Sequence, residues 1–87
     1  MTNKEILIKE GFELDTYRGE SKNYKYLLEY DTRTKQYLYC NLINDDFRSC
    51  WVEEDQLKFG HHSEITLSNI TSFENFMILF KLLKFEE

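Results

Sequence analysis

Cys40, Cys50, His61 and His62 are the side chains of this 87-residue chain best suited to hold a soft metal ion. Structural zinc takes four such ligands at short, recurring spacings. Cys40 and Cys50 fall opposite each other in the expected strand register, but the two histidines are adjacent, so on an extended segment they point apart. The pattern matches no zinc site, and no metal or cofactor is expected. Cysteine or serine could be paired with histidine as nucleophile and base, but no third residue is placed to orient such a pair. The carboxylate clusters Asp45-Asp46 and Glu53-Glu54-Asp55 fall where turns or loops are expected, and solvated charge is the ordinary outcome there. Gly11, Gly19 and Gly60 are isolated, so no phosphate-cradling loop exists. The chain reads as a non-enzyme.

Charge excludes another class. Lys and Arg number 11 against 16 Asp and Glu, a net charge of −5. Sheets that stack nucleic-acid bases on aromatic rings surround those rings with cations. Here Lys22, Lys25, Arg33, Lys35 and Arg48 are offset by Glu29, Asp31, Asp45 and Asp46, which removes most of the counterion-release gain. Nucleic acid is not expected as a partner.

The remaining chemistry is aromatic. Seven phenylalanines, six tyrosines and one tryptophan make up 16% of the chain. Their placement follows from the elements. Thr2-Asn3-Lys4-Glu5 has the spacing of a capping box, and Gly11 stands where a left-handed residue would end a helix, predicting a short helix over 3–10. Residues 12–17 alternate apolar and polar as a half-buried strand does. Strands over 24–31 and 36–43 are joined by Thr32-Arg33-Thr34-Lys35, and Asn44-Asp45-Asp46 leads to a strand over 47–53. Residues 53–62 are polar and read as loop, and 63–68 alternate again around Ile65 and Leu67. Thr71-Ser72-Phe73-Glu74 is a second capping box, opening a helix to about Phe85; Glu86 and Glu87 then have the wrong sign for its dipole and predict a frayed tail. The expected fold is α+β: an antiparallel meander of four to five strands flanked by a short N-terminal helix and a longer C-terminal helix packed on one sheet face. A length of 87 residues suits one small domain, 1–87.

Register then sorts the side chains, since neighbours along a strand face opposite sides. The loop lengths predict Tyr30 opposite Tyr37, Leu28 opposite Tyr39 and Tyr26 opposite Asn41. In the next hairpin they predict Ile43 opposite Phe47, Asn41 opposite Ser49 and Tyr39 opposite Trp51. One face would carry Tyr24, Tyr26, Leu28, Tyr30, Tyr37, Tyr39, Phe47 and Trp51, the other Leu27, Leu38, Cys40, Leu42, Cys50 and Val52. Phe73, Phe76, Met77, Leu79, Phe80 and Leu83 form one side of the second helix and are expected on the aliphatic face, where large groups interdigitate with small ones. The aromatic face is then left open, either as ordinary half-exposed strand tyrosines or as a recognition surface. Ile78, Leu82 and Phe85 line the helix's other side; Ile6 and Leu7 of the first helix could cover them, or they could form a dimer contact.

Lys, Asn, Ile, Phe and Tyr make up 33 of the 87 residues and alanine is absent, a bias toward AT-rich codons that points to a low-GC bacterium or a phage. The start Met1-Thr2-Asn3-Lys4-Glu5 does not resemble a signal peptide, and the apolar run Phe76–Phe85 is about half the roughly 20 residues of a membrane span. A cytoplasmic location is expected, with both cysteines as thiols. The functional expectation is a small acidic protein-binding module, an inhibitor or modulator of a partner such as a nuclease or host-defence complex. Its contacts would be Tyr24, Tyr26, Tyr37, Tyr39 and Trp51, with Asp45 and Asp46 as rim charges. The other expectation is a binder of a nucleotide-like small molecule in an aromatic pocket, monomeric or as a homodimer through Ile78, Leu82 and Phe85.

Overall fold

A computed structural model describes residues 1–30 and 33–85. Asp31 and Thr32 of the first hairpin loop, the tail Glu86-Glu87 and the side chains of Glu29, Tyr30 and Phe85 lie outside the described residues. The elements run α1 (Asn3–Lys9), β1 (Glu13–Arg18), β2 (Ser21–Tyr30), β3 (Thr34–Ile43), β4 (Asp46–Gln56), β5 (His61–Thr66) and α2 (Phe73–Phe85). The five strands form one antiparallel sheet in sequential order. This is the expected α+β meander with a helix at each end. No helix among the described residues is long and apolar enough to cross a membrane.

Local sequence explains both ends of α1. The Glu5 N–H donates to the Thr2 hydroxyl at 3.1 Å, satisfying a donor that the first turn leaves free. At the other end Gly11 adopts φ +104°, its N–H reaches the Ile8 carbonyl, and the Phe12 N–H reaches the Leu7 carbonyl at 2.9 Å. This is a Schellman stop, and it carries Leu7 and Phe12 into the core together. The cap of α2 is Ser72, whose hydroxyl accepts the Asn75 N–H at 3.1 Å, one residue later than the expected Thr71.

Both helices lie on one face of the sheet. Phe76 and Phe80 are fully buried there with Leu7, Phe12, Tyr24, Leu38, Cys40, Leu42 and Cys50, while Phe73, Met77 and Leu83 pack around them. Burial of one such phenylalanine contributes about 1.5–3 kcal/mol by area transfer, an upper bound. The second helix therefore buries the side expected of it.

The floor beneath it differs from expectation. Tyr24 pairs with Cys40 and Tyr26 with Leu38, so both tyrosines stand on the helix-covered face. Tyr24 is buried, and the Tyr26 ring meets Phe80 edge-on at 4.8 Å and Phe12 at 5.3 Å. The cause is a bulge. Near the loop Tyr30 faces Lys35 rather than Tyr37, an even displacement that preserves the face; a break in register between Leu27 and Glu29 adds one residue and reverses it. Leu28 consequently packs against the core and Leu27 turns outward, the reverse of the expected assignment.

The next hairpin mixes agreement and correction. Tyr39 faces Trp51, Cys40 faces Cys50 and Asn41 faces Ser49, as the spacing predicts. The turn, however, has two central residues, Asn44 (φ 52°) and Asp45 (φ 65°), a left-handed pair that suits the twist of a tight hairpin. A second break in register between Asn41 and Leu42 restores the count and places Phe47 opposite Leu42, on the core side, 5.7 Å from the Phe76 ring. The stretch expected as loop, 53–62, is instead the end of β4, a turn closed by Gly60 at φ 67°, and the start of β5.

Candidate functional site

The sheet face opposite the helices carries a row of rings. Three facing residues from adjacent strands, Lys25, Tyr39 and Trp51, lie in register, and the next row places Tyr37 opposite Leu27 and Glu53. Trp51 and Tyr39 stack with centroids 5.3 Å apart and planes 7° from parallel. Tyr37 meets Tyr39 edge-on at 6.2 Å. The ammonium groups of Lys25 and Lys35 sit over the Tyr37 ring at 5.0 and 5.4 Å, a favourable cation–ring contact.

Polar contacts hold the row at both ends. Lys25 pairs with Asp15 at 3.2 Å. The Trp51 indole N–H donates to Glu53 Oε2 at 2.8 Å. Glu53 Oε1 in turn lies 3.1 Å from His62 Nε2, and His62 Nδ1 lies 2.5 Å from Asp55 Oδ1. Beside the rings runs a neutral ladder in which the Asn41 amide donates to Asn23 Oδ1 at 2.7 Å and to the Ser21 hydroxyl at 3.1 Å, and Asn23 donates to Thr16 Oγ1 at 3.0 Å. The rings and their polar neighbours are thus held in place by contacts within the chain.

Electrostatics follow from this packing. Tyr39, the centre of the row, is only 8% exposed although it lies on the open face. Burial pushes its pKa up to about 12, with the charges of Glu53 and Asp15 adding in the same direction. His62 is exposed, and its hydrogen bond to Asp55 holds its pKa above the ordinary value. Cys40 and Cys50 are free and buried on the core side; burial pushes the Cys50 thiol up to about 11 and the Cys40 thiol higher. They serve as small packing groups.

Of the residues expected to form a contact surface, Tyr37, Tyr39 and Trp51 are brought together. Tyr24 and Tyr26 are not, since they lie in the core behind the sheet. Asp45 is already engaged: its two carboxylate oxygens accept the Asn3 and Lys4 N–H groups at 2.9 Å each, and its carbonyl accepts the Asn3 side-chain amide at 2.8 Å. It caps α1 from across the molecule, whereas Asp46 beside it is exposed. Ile78 and Leu82 are 54% and 63% exposed, so the first helix does not cover them.

Sequence spacing raises His62 and the Glu53-Glu54-Asp55 run as separate features of an expected loop, and it does not bring them together or raise Glu64. Asp55 faces His62 and Glu53 faces Glu64 across β4 and β5. One ligand atom from each of Glu53, His62 and Glu64 lies within 4.8 Å of the others, close enough for the three to share a cation. The signal available in the sequence was the two-residue step from Glu53 to Asp55 and from His62 to Glu64, which puts each pair on one face if both segments are strands. No family model, curated protein or solved structure matches the chain.

Proposed function

We propose that the chain is a non-catalytic protein-binding module of the cytoplasm that docks through the face bearing Tyr37, Tyr39 and Trp51. The observation that carries this reading is the ordered aromatic row on the sheet face opposite both helices. Tyrosine and tryptophan give large contact area for few frozen rotors, and such residues dominate the energy of protein interfaces. The carboxylates of Asp15, Glu53, Asp55 and Glu64 lie along the same strip, so the fitting partner presents a basic surface. A nuclease or another protein with a groove for nucleic acid has that surface, and the module would act by occupying or altering it. The face-to-face stack of Tyr39 on Trp51 fills the space that a ligand ring would need between them. Protein contact is therefore favoured over a nucleotide-like pocket.

The test is affinity capture from a lysate of the source organism, with the wild type beside two double variants. Tyr37→Ala/Trp51→Ala removes the accessible rings, and Ile78→Ser/Leu82→Ser alters the exposed side of α2. A partner retained by the wild type and the helix variant but lost by the ring variant supports the reading. Equal retention by all three contradicts it.

A further inference from the structure

Glu53 and Glu64 face each other directly across the last hairpin, an arrangement in which like charges repel. Asp55 brings a third carboxylate to the same small area, and one imidazole pairs with Asp55 and Glu53 while a Glu64 oxygen lies within 4.8 Å. His62 lies between them, with Nδ1 toward Asp55 and Nε2 toward Glu53. When Nδ1–H donates to Asp55, Nε2 presents its lone pair to the Glu53 oxygen 3.1 Å away. A proton on Nε2 donates to Glu53 alone, whereas a metal ion in its place engages Glu64 as well, whose oxygen lies within 4.8 Å of both.

Two of the three prospective ligands already have the outer contacts that metal ligands require. A carboxylate fixes the tautomer and direction of the imidazole, as Asp55 does for His62, and a ligating carboxylate is itself hydrogen-bonded, as Glu53 is by the Trp51 indole. The third, Glu64, is exposed and can swing, so the 4.8 Å span closes to the separations set by metal–ligand distances of about 2.0–2.2 Å. An imidazole nitrogen among carboxylates suits a borderline cation; calcium and magnesium prefer oxygen alone. We propose that Glu53, His62 and Glu64 bind a divalent transition-metal ion of the zinc class, with Asp55 as the positioning residue behind His62. Three protein ligands leave a coordination position open to water or to a side chain of a second protein.

The experiment is titration of the full chain with Zn²⁺ by calorimetry and by the emission of Trp51, the single tryptophan, which bonds to Glu53. One Zn²⁺ per chain is expected, with a Kd on the order of micromolar, and Mg²⁺ at the same concentration should not compete. His62→Ala and Glu64→Gln, both at exposed positions and checked for folding by circular dichroism, should each weaken binding at least tenfold. Asp55→Asn should weaken it by about 10–100-fold while the stoichiometry stays the same. Absence of saturable Zn²⁺ binding, or binding that survives both His62→Ala and Glu64→Gln, would overturn the proposal.

Discussion

The Trp51 indole lies flat on the Tyr39 ring, 5.3 Å between centroids, and leaves that tyrosine 8% exposed on the open side of the sheet. Tyr39 is thus the base of the proposed surface, and Trp51 and Tyr37 are its more accessible rings. The division has a consequence that titration can read.

Tyr39 should lose its proton only near pH 12, against an ordinary value of 10.0, because burial opposes the phenolate. The unfolded chain releases that proton earlier. Between pH 10 and 12 the unfolded state therefore binds fewer protons than the folded one, and stability falls as pH rises through that window. Ultraviolet titration of the phenolates should show two late-ionising tyrosines in the wild type, Tyr39 and the core's Tyr24, which burial also raises, and Trp51→Ala should leave Tyr24 late. In Trp51→Ala, with the covering ring removed, the Tyr39 midpoint should move down toward 10. A midpoint that stays near 12 would mean that the indole contributes little to its burial.

Asp45 should matter to stability and Asp46 should not. Removing the Asp45 carboxylate by Asp45→Ala leaves the Asn3 and Lys4 N–H groups without their acceptor, a loss of about 1–2 kcal/mol by analogy with helix caps. Asp45→Asn keeps an acceptor and tolerates the left-handed backbone at φ 65°, so it should cost less. Asp46→Ala should fall within about 0.5 kcal/mol of the wild type. Urea unfolding of the three variants ranks them.

The two sides of α2 should respond in opposite ways to truncation. Phe80→Ala opens a cavity beneath Tyr26 and Phe12 and should cost about 3–5 kcal/mol, a large part of the total for a chain of this size. Leu82→Ser, on the exposed side, should change stability by about 0.5 kcal/mol or less. Comparable losses at the two positions would mean that Leu82 is covered in solution, and sedimentation would then identify a dimer.

Which parts of this were legible in the sequence depends on the range of the forces involved. The caps of α1, its glycine stop and the buried side of α2 are set by neighbours within a turn of helix, and they were readable. So were the Tyr39–Trp51 and Cys40–Cys50 pairs, because the displacement at the Asn44-Asp45 turn is cancelled by the break beside it. The face of β2 was not. It depends on one extra residue at Leu28, and a single such residue exchanges every side chain beyond it between core and solvent. The strands over 53–62 were hidden for another reason: polar residues on the solvent side of a sheet carry no apolar alternation. Asp45 looked like a free surface charge because its partners, Asn3 and Lys4, lie at the other end of the chain's first half.

The central claim is that the Tyr37–Tyr39–Trp51 face is the binding surface, and the affinity of Trp51→Ala for a captured partner tests it most directly. The substitution removes an accessible ring and leaves both helices and the core in place. A loss of about 2 kcal/mol or more, roughly thirtyfold in Kd, is expected of a residue at the energetic centre of an interface. A Kd within twofold of the wild type, with circular dichroism unchanged, would contradict the account.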